Sequence, residues 1–391
     1  MTIKVMLINN IKEEVEMSIL NNAIKTRKIL KTNKGQYPTF LIYEITKNCN
    51  SRCIMCNIWN KEKTTDELKH DDIKKIFSQT FFKDVKYLNL SGGEPFIKND
   101  FNEIVKEFIT TLKNLNMISV ATNGFLTKKI TNDITEILEF IKEQKKDIKF
   151  SVTVSIDGPS TIHNKIRGIK GAYDAAMSTF NELKKISEQT DNFTVGIETV
   201  ICKYNIDEID EIYKAHKKLT NHLNFVPAVF SSFFENQDLD FTIKKDDLPK
   251  LITFYKNMIK ETPHLAYFYE KVIFFLTNHY RNFPCLGGVL TAKIDSRGNL
   301  FPCLMTKYVI ATKNENYTEK WFGDKMNQFR NNKEDICKKC LSNCDMINNY
   351  YYEFFDVCNY YATHPIISLK FITIILKDFL KGGYYAQMIS K

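Results

Sequence analysis

The sequence predicts an α/β fold in which short parallel strands alternate with amphipathic helices. Six short apolar segments each have the length of one buried strand, at residues 39–45, 86–91, 117–122, 149–156, 194–201 and 223–228. Five stretches with helical spacing of apolar residues lie between them, at 71–78, 101–113, 132–144, 171–187 and 206–218. This alternation is typical of a parallel sheet or barrel, whose reactive residues lie on loops at the carboxyl ends of the strands.

The flanking regions differ from this central pattern. Residues 11–31 have apolar positions at helical spacing, and Gly35 and Pro38 then break the pattern. We therefore expect five regions: a helical extension over 1–35, the α/β region over 36–228, an aromatic-rich helical connector over 229–283, a cysteine-rich domain over 284–360 and an amphipathic tail over 361–391.

Composition restricts the classes of function. The 391 residues are 43% hydrophobic and 13% aromatic, which excludes a disordered chain. The net charge is +9, but basic clusters are only pairs such as Lys128-Lys129, so we interpret the lysines as a solvated surface and expect no nucleic-acid partner. Ten cysteines without a signal-peptide pattern favour a cytoplasmic location and metal-bound thiolates over disulfides.

Three cysteines follow the first predicted strand, at Cys49, Cys53 and Cys56. A structural zinc site usually has four ligands arranged as two pairs, and this trio has no fourth ligand nearby. A cubane iron–sulfur cluster held by three cysteines would leave one iron open for a small molecule. The spacing therefore favours a cluster with one open coordination site.

Polar and glycine-rich loops follow the next three strands. They are Ser91-Gly92-Gly93-Glu94-Pro95, Thr122-Asn123-Gly124 and Ser155-Ile156-Asp157-Gly158. Paired glycines allow a backbone to approach a ligand closely, and Glu94 adds an anionic acceptor. Because each loop lies at a strand end, they favour one shared site with the cysteine trio.

The cysteine trio and the Gly92–Pro95 loop together resemble the radical S-adenosylmethionine (SAM) enzymes, although the family commonly places an aromatic residue where this chain has Met55. The resemblance implies a partial (β/α)6 TIM-like barrel. It also implies that the trio holds a 4Fe–4S cluster whose open iron binds SAM, and that reduction of SAM yields a 5′-deoxyadenosyl radical.

The same resemblance implies roles for residues around SAM. Backbone and carboxylate groups would meet the methionine amino group, strand-end residues would contact the ribose, and a guanidinium would pair with the methionine carboxylate. Gly92, Gly93 and Glu94 lie at the positions for the amino group. Ser155 and Asp157 lie at those for the ribose, and Arg167 lies at that for the methionine carboxylate. Radical chemistry depends more on the orientation of the cofactors towards the substrate than on a general base. No histidine is therefore a catalytic candidate, and no catalytic side chain is assigned.

A second cysteine group resembles the small SPASM or twitch extension of these enzymes. Twelve residues separate Cys285 from Gly298, four separate Gly298 from Cys303, and residues 294–300 predict a hairpin turn. Residues 337–344 follow as Cys-x-x-Cys-x-x-x-Cys, which departs from the full SPASM pattern in its spacing and lacks one cysteine. The resemblance implies at least one auxiliary iron–sulfur cluster.

Counting thiolates favours a single auxiliary cluster. Two fully cysteine-ligated clusters need about eight cysteines, and this region has six. We expect ligands at Cys285, Cys303, Cys337 and Cys340, with Cys344 as a substitute for one of them and Cys358 as a buried thiol. A zinc ribbon is the alternative for this region. The isolated Cys202 is interpreted as a core residue.

These patterns predict an enzyme that abstracts a hydrogen atom from a small-molecule, glycan or lipid-precursor substrate and accepts electrons from a flavodoxin or ferredoxin. Residues 1–35 are too few for a peptide-recognition domain. A peptide or protein maturase is therefore the second prediction, after the small-molecule, glycan or lipid-precursor enzyme. A non-catalytic iron–sulfur or zinc redox sensor is a further alternative, but it would not need the Gly92–Pro95 loop. Residues 365–381 predict a helix that docks on its own domain or makes a peripheral membrane contact.

Overall fold

An eight-stranded sheet is the framework of the fold. The computed structural model describes residues 24, 27–29, 32, 34–60, 65–341 and 353–380. The strands lie in the linear order β6-β5-β4-β3-β2-β1-β7-β8, so the sheet does not close within the described residues. Their bounds are β1 (Phe40–Thr46), β2 (Tyr87–Gly92), β3 (Met117–Thr122), β4 (Lys149–Ser155), β5 (Phe193–Ile201), β6 (Leu223–Pro227), β7 (Thr291–Ile294) and β8 (Leu300–Phe301).

The predicted α/β architecture is confirmed. All six expected strands form, and β1 to β6 pair in parallel with helices between them. The helices within this part of the chain are α1 (His70–Phe77), α2 (Phe101–Thr111), α3 (Thr127–Glu143), α4 (Ser160–Arg167), α5 (Ala172–Ser187) and α6 (Ile209–Leu219). The short helix α4 had not been predicted.

The predicted hairpin is also confirmed, and it extends the same sheet. Strand β7 pairs antiparallel with β8, and on its other side it pairs in parallel with β1. The later helices are α7 (Leu248–Glu261), α8 (Ala266–Asn278), α9 (Tyr317–Phe322), α10 (Asp324–Cys337), α11 (Phe354–Thr363) and α12 (Pro365–Leu380).

The chain divides into two compact units, and the sheet belongs entirely to one of them. That unit comprises residues 35–248 and 287–333. The other comprises 1–34, 249–286 and 334–391, of which the described parts include α7, α8, α11 and α12. In this second unit the Tyr267 hydroxyl donates to the Glu353 carboxylate at 3.1 Å, and the Tyr361 hydroxyl donates to the Pro263 carbonyl at 2.7 Å.

The terminal predictions fall partly outside the described residues. Most of the expected N-terminal helix over 11–31 lies outside them, and residues 24 and 27–29 within it are helical. The predicted tail helix forms as α12, where the Phe371 ring stacks on Tyr361 at 4.9 Å. Among the described helices, none has both the length and the apolar character needed to cross a membrane.

Candidate active site

The cysteine loop lies at the carboxyl end of β1 and is bound to the end of α4. The backbone N–H groups of Arg52 and Ile54 donate to the carbonyls of Arg167 and Ile166 at 2.9 and 3.0 Å. The Ser51 hydroxyl lies 3.1 Å from both the Cys53 Sγ and the Arg167 carbonyl oxygen. This pairing fixes the middle cysteine through the backbone on either side of it.

A second set of contacts holds the far end of the loop. The Asn236 side-chain amide donates to the Met55 carbonyl at 2.8 Å, and the Asn57 N–H donates to the Phe234 carbonyl at 2.8 Å. Met55 itself is buried in a small apolar cluster that also contains Cys202. The prediction that Cys202 is a core residue is therefore confirmed, and Met55 lies in the same cluster.

The electrostatics of the loop suit a bound cation. Burial raises the pKa of the Cys49 thiol to about 11 and that of Cys56 to about 12. These thiols therefore ionise at neutral pH only beside added positive charge, which iron supplies. No three Cys, His, Asp or Glu side chains among the described residues converge on a single-ion site. A cubane cluster differs from such a site because its cysteines bind separate iron atoms.

The Gly92–Pro95 loop packs directly against the cysteine loop. The Gly93 N–H donates to the Thr46 carbonyl at 2.8 Å, and the Glu94 N–H donates to the Asn48 carbonyl at 2.8 Å. Gly92 has φ +128°, and a Cβ at either glycine would overlap one of these carbonyl oxygens. The paired glycines therefore permit close approach of two backbones, beside any approach to a ligand.

Glu94 ties this loop to the next one. Its carboxylate accepts hydrogen bonds from the Thr122 hydroxyl at 2.8 Å and the Asn123 N–H at 2.7 Å, as well as from the Phe96 N–H at 3.3 Å. The side chain is 1% exposed, and burial raises its pKa to about 7 although these donors favour the ionised form. The Asn123 side chain in turn donates to Asn50 Oδ1 at 2.7 Å, so three strand-end loops form one network.

Asp157 and Arg167 form a buried pair beside the middle cysteine. Arg167 Nε and Nη2 donate to the two Asp157 oxygens at 2.6 and 2.9 Å, and Nη1 lies 3.7 Å from the Cys53 Sγ. Asp157 is fully buried and its Oδ1 also accepts from the Val200 N–H at 3.1 Å. A guanidinium next to the loop adds positive charge where a thiolate would form.

The remaining predicted SAM contact, Ser155, lies at the end of β4. It is mostly buried and pairs in register with Glu198 on β5. Glu198 accepts a hydrogen bond from the Asn224 amide on β6 at 2.7 Å, and its pKa is raised by burial.

Sequence reasoning missed several residues that hold the site. Asn205 and Asn236 act through their side-chain amides, and Asn205 Nδ2 donates to both the Asp157 and the Val200 carbonyls at 3.0 and 2.9 Å. Asn123 lies in a loop that the sequence predicts at the site, but its hydrogen bond to Asn50 was not predicted. His163 accepts from the Asp157 N–H through Nδ1 at 3.1 Å, which places its hydrogen on Nε2. The only local signal for them is a polar residue in a loop or helix, which is too common to single out.

The second cysteine group is divided between the two units. Cys285, Cys337 and Cys340 belong to one unit and Cys303 belongs to the unit of the sheet, while Cys344 lies outside the described residues. The Arg281 N–H donates to the Lys338 carbonyl at 3.0 Å, which joins the segment before Cys285 to the Cys-x-x-Cys turn. The expectation that Cys358 is buried is wrong, because this residue is exposed on α11.

Comparison with known proteins identifies the domain that contains this site. Residues 43–216 match the Radical SAM superfamily. This chain contains a radical SAM domain. The match runs from within β1 into α6 and includes the cysteine loop, the Gly92–Pro95 loop and the Asp157–Arg167 pair. Members of the family are enzymes that use a 4Fe–4S cluster and SAM, and its SPASM-type members carry auxiliary clusters.

Two relatives match this chain at similar length. It is 27% identical over 296 residues to an AdoMet-dependent heme synthase of Methanosarcina barkeri, covering 68% of this chain and 76% of the relative. It is 26% identical over 290 residues to a cysteine-type anaerobic sulfatase-maturating enzyme of Clostridium novyi, covering 68% and 73%. With the Mycolicibacterium smegmatis mycofactocin maturase MftC the match is 28% identical but spans only 40% of that protein.

Solved structures share the fold of this chain. Streptococcus suis SuiB bound to S-adenosylmethionine superposes with a TM-score of 0.56 at 15% identity, covering 78% of this chain and 70% of SuiB. Native anSMEcpe with bound AdoMet gives a TM-score of 0.54 at 19% identity, covering 74% and 82%.

We predict that Gly93→Ala disrupts the cysteine loop. The new Cβ overlaps backbone carbonyl oxygens that cannot rotate away, so the loop must shift at a cost of about 1–3 kcal/mol or more. Iron content after anaerobic reconstitution should fall together with the melting temperature. Gly323→Ala is the control, because its Cβ would lie 3.1 Å from the nearest backbone oxygen, a tight contact that a shift of a few tenths of an ångström relieves, whereas the Gly93 Cβ would lie 2.1 Å from one. An unchanged iron content in Gly93→Ala would contradict the close approach.

We also predict acid destabilisation of the metal-free protein. Burial lowers the pKa of His163 and of His216 to about 4, whereas an unfolded histidine titrates near 6.5. The unfolded chain therefore binds more protons between these values, and stability falls as the pH drops from about 6.5 to about 4, by up to about 3 kcal/mol per histidine. In His163→Asn, urea unfolding from pH 7 to 4 should show a clearly weaker dependence. An identical dependence would contradict the burial of a neutral His163.

Proposed function

We propose that this chain reductively cleaves SAM to a 5′-deoxyadenosyl radical and uses that radical to abstract a hydrogen atom from a small-molecule, glycan or lipid-precursor substrate. The observation that carries the proposal is that the cysteine loop contacts both the Gly92–Pro95 loop and Arg167 at one edge of the sheet. A redox sensor needs no such arrangement, and the family consists of enzymes.

The chain's own residues would hold and orient the cofactors. Cys49, Cys53 and Cys56 would ligate the cluster, which supplies the electron that cleaves SAM when bound. The Glu94 carboxylate already accepts three hydrogen bonds and is 1% exposed, so we assign the methionine amino group to backbone carbonyls of Gly92 and Gly93, with Glu94 holding them in place. The carboxylate of Glu94 still adds negative charge close to that ammonium group.

The carboxylate of the methionine moiety would meet Arg167. Two of its nitrogens are committed to Asp157, which leaves Nη1, on the cysteine side, for the methionine carboxylate. Asp157 is fully buried and engaged, so we assign it to the orientation of Arg167 and leave the ribose contact to Ser155. The expected pairing would then involve one nitrogen of Arg167 instead of its fork.

Modification of a peptide or protein is the second candidate. The sulfatase-maturating enzyme matches this chain over nearly the same length and at nearly the same identity as the heme synthase, so similarity alone supports both. A flavodoxin or ferredoxin is the proposed electron donor for either reaction.

We propose one auxiliary cluster with ligands drawn from Cys285, Cys303, Cys337, Cys340 and Cys344. Cys285 and Cys303 are buried, as cluster ligands commonly are, and the contact between Arg281 and Lys338 supports a common site for Cys285 and the Cys-x-x-Cys turn. Such a cluster would accept an electron from the substrate radical or anchor the substrate.

The anaerobically reconstituted protein should form 5′-deoxyadenosine from SAM under dithionite. Cys53→Ala should reduce this rate by at least about 10³-fold, because the electron no longer reaches SAM from an intact cluster. Cys202→Ala is the matched control, since this buried cysteine lies in the same apolar cluster but off the loop. Wild-type protein that keeps its iron but forms no 5′-deoxyadenosine would contradict the proposal.

Metal analysis should separate the two cysteine groups. We expect about eight irons in the wild type and about four after Cys49, Cys53 and Cys56 are all replaced by alanine. Replacing Cys285 and Cys303 instead should also leave about four, with SAM cleavage still measurable. Zinc in place of the second four irons would contradict the auxiliary cluster and favour a zinc ribbon.

The tail helix has two proposed roles, and the structure supports features of both. Its stacking on Tyr361 supports docking on its own unit, whereas Ile366, Leu369 and Ile372 are between 51% and 75% exposed and support contact with a membrane surface. We favour docking. Liposomes containing anionic lipid should therefore sediment the full chain no better than a chain truncated after His364. Sedimentation of the full chain alone would show membrane contact instead.

A further inference from the structure

The two faces of the central sheet differ in chemistry. On one face the aligned side chains of Val120, Val152 and Val195 are at most 3% exposed. Tyr43 lies in the same row, and its ring contacts Phe108 of α2 at 5.5 Å. This face is therefore the one that packs against the helices, and it has the apolar character expected of a buried parallel sheet.

The opposite face carries small polar side chains in its central and carboxyl-side rows. One row across β2, β3, β4 and β5 consists of Asn89, Ser119, Ser151 and Thr194, which are paired in register and each only partly buried. Asn89 donates to the Ser119 hydroxyl at 2.9 Å. The next row towards the cysteine loop carries Ser91 and Thr153, also partly buried.

This composition is unusual for the inside of a parallel barrel. Such an interior is normally filled by layers of branched apolar side chains, with no space left for a ligand. Hydroxyl and amide groups are costly to bury without partners, and here they retain partial exposure. The face therefore lines a space that solvent or a ligand reaches, and it offers hydrogen bonds to whatever lies there.

Charged side chains also lie on this face, at Glu44, Lys293, Lys149 and Glu198. Lys293 on β7 lies 2.9 Å from the Glu44 carboxylate, and its ammonium lies 4.8 Å from the ring centroids of both Phe233 and Phe301. Further along, Glu198 accepts from Asn224. A ligand on this face would therefore meet hydroxyls, amides and the Glu198 carboxylate, in rows that lead to the carboxyl edge with the cysteine loop.

We infer that the substrate is a hydrophilic molecule recognised over this face through its own hydroxyl or amide groups. The inference rests on the proposed function and narrows its substrate class, because the hydrocarbon chain of a lipid precursor would leave these side chains without partners. A sugar and a short peptide both present this chemistry.

Whether the side chains of this face contact solvent is tested by two isosteric substitutions at adjacent positions of β4. Thr153→Val should change the melting temperature by less than about 2 °C, because the lost hydroxyl faces solvent. Val152→Thr, on the helix side, should lower it by roughly 3–8 °C, because it buries an unpaired hydroxyl. A rise of several degrees in Thr153→Val would show a dry, packed face and overturn the inference.

The substrate class is tested with cells that naturally make this protein, grown in deuterated medium. Their extract is partitioned between chloroform and aqueous methanol. Each phase is incubated with unlabelled SAM and the reconstituted full chain, and deuterium per 5′-deoxyadenosine formed is measured by mass spectrometry. We expect transfer from the aqueous phase, and at least about a fivefold lower ratio in Thr153→Val. Transfer from the chloroform phase alone would overturn the inference.

Two treatments of the aqueous phase distinguish a sugar substrate from a peptide substrate. Periodate destroys vicinal diols and should abolish transfer from a sugar, whereas protease should abolish transfer from a peptide. Complete absence of 5′-deoxyadenosine in every arm would contradict the proposed function instead, and the melting experiment would still decide whether the face is polar and wet.

Discussion

The close approach of two backbones at the carboxyl end of β1 and β2 is the constraint on which the site depends. Gly93 and Glu94 donate to the carbonyls of Thr46 and Asn48, and side chains at Gly92 or Gly93 would prevent this contact. Since the cysteine loop begins directly after these carbonyls, its position is set by the glycine loop. The glycines therefore serve the fold of the site as well as any ligand that it binds.

Buried polar groups then extend this contact outwards in pairs that satisfy one another. Glu94 gathers donors from the β3 loop, and Asp157 fixes two nitrogens of Arg167. Removal of one partner from such a buried ion pair typically costs about 3–5 kcal/mol, because the other charge is left uncompensated. The network is thus rigid, and rigidity is what an enzyme needs to aim a reactive radical at one hydrogen atom.

The sequence allowed prediction of the strands and of the candidate site loops, because both have local signals. Apolar segments alternate with helical spacing, and the cysteine and glycine spacings are short-range patterns. The pairing of β7 with β1 had no such signal, since it joins residues about 250 positions apart. The internal partners of Glu94 and Asp157 were also missed, because a carboxylate that binds a ligand and one that binds backbone N–H groups look identical in sequence. The same holds for Asn123, Asn205 and Asn236, whose roles exist only in the folded chain.

Electron–nuclear double resonance of the reduced full chain tests the proposed open iron most directly. SAM labelled with ¹⁵N and ¹⁷O in its amino and carboxylate groups would be added to anaerobically reconstituted protein. Hyperfine coupling from both labels is predicted, and it should be lost in Cys53→Ala while the auxiliary signal persists. A reduced cluster spectrum that labelled SAM leaves unchanged in the wild type would contradict a three-cysteine cluster that binds SAM.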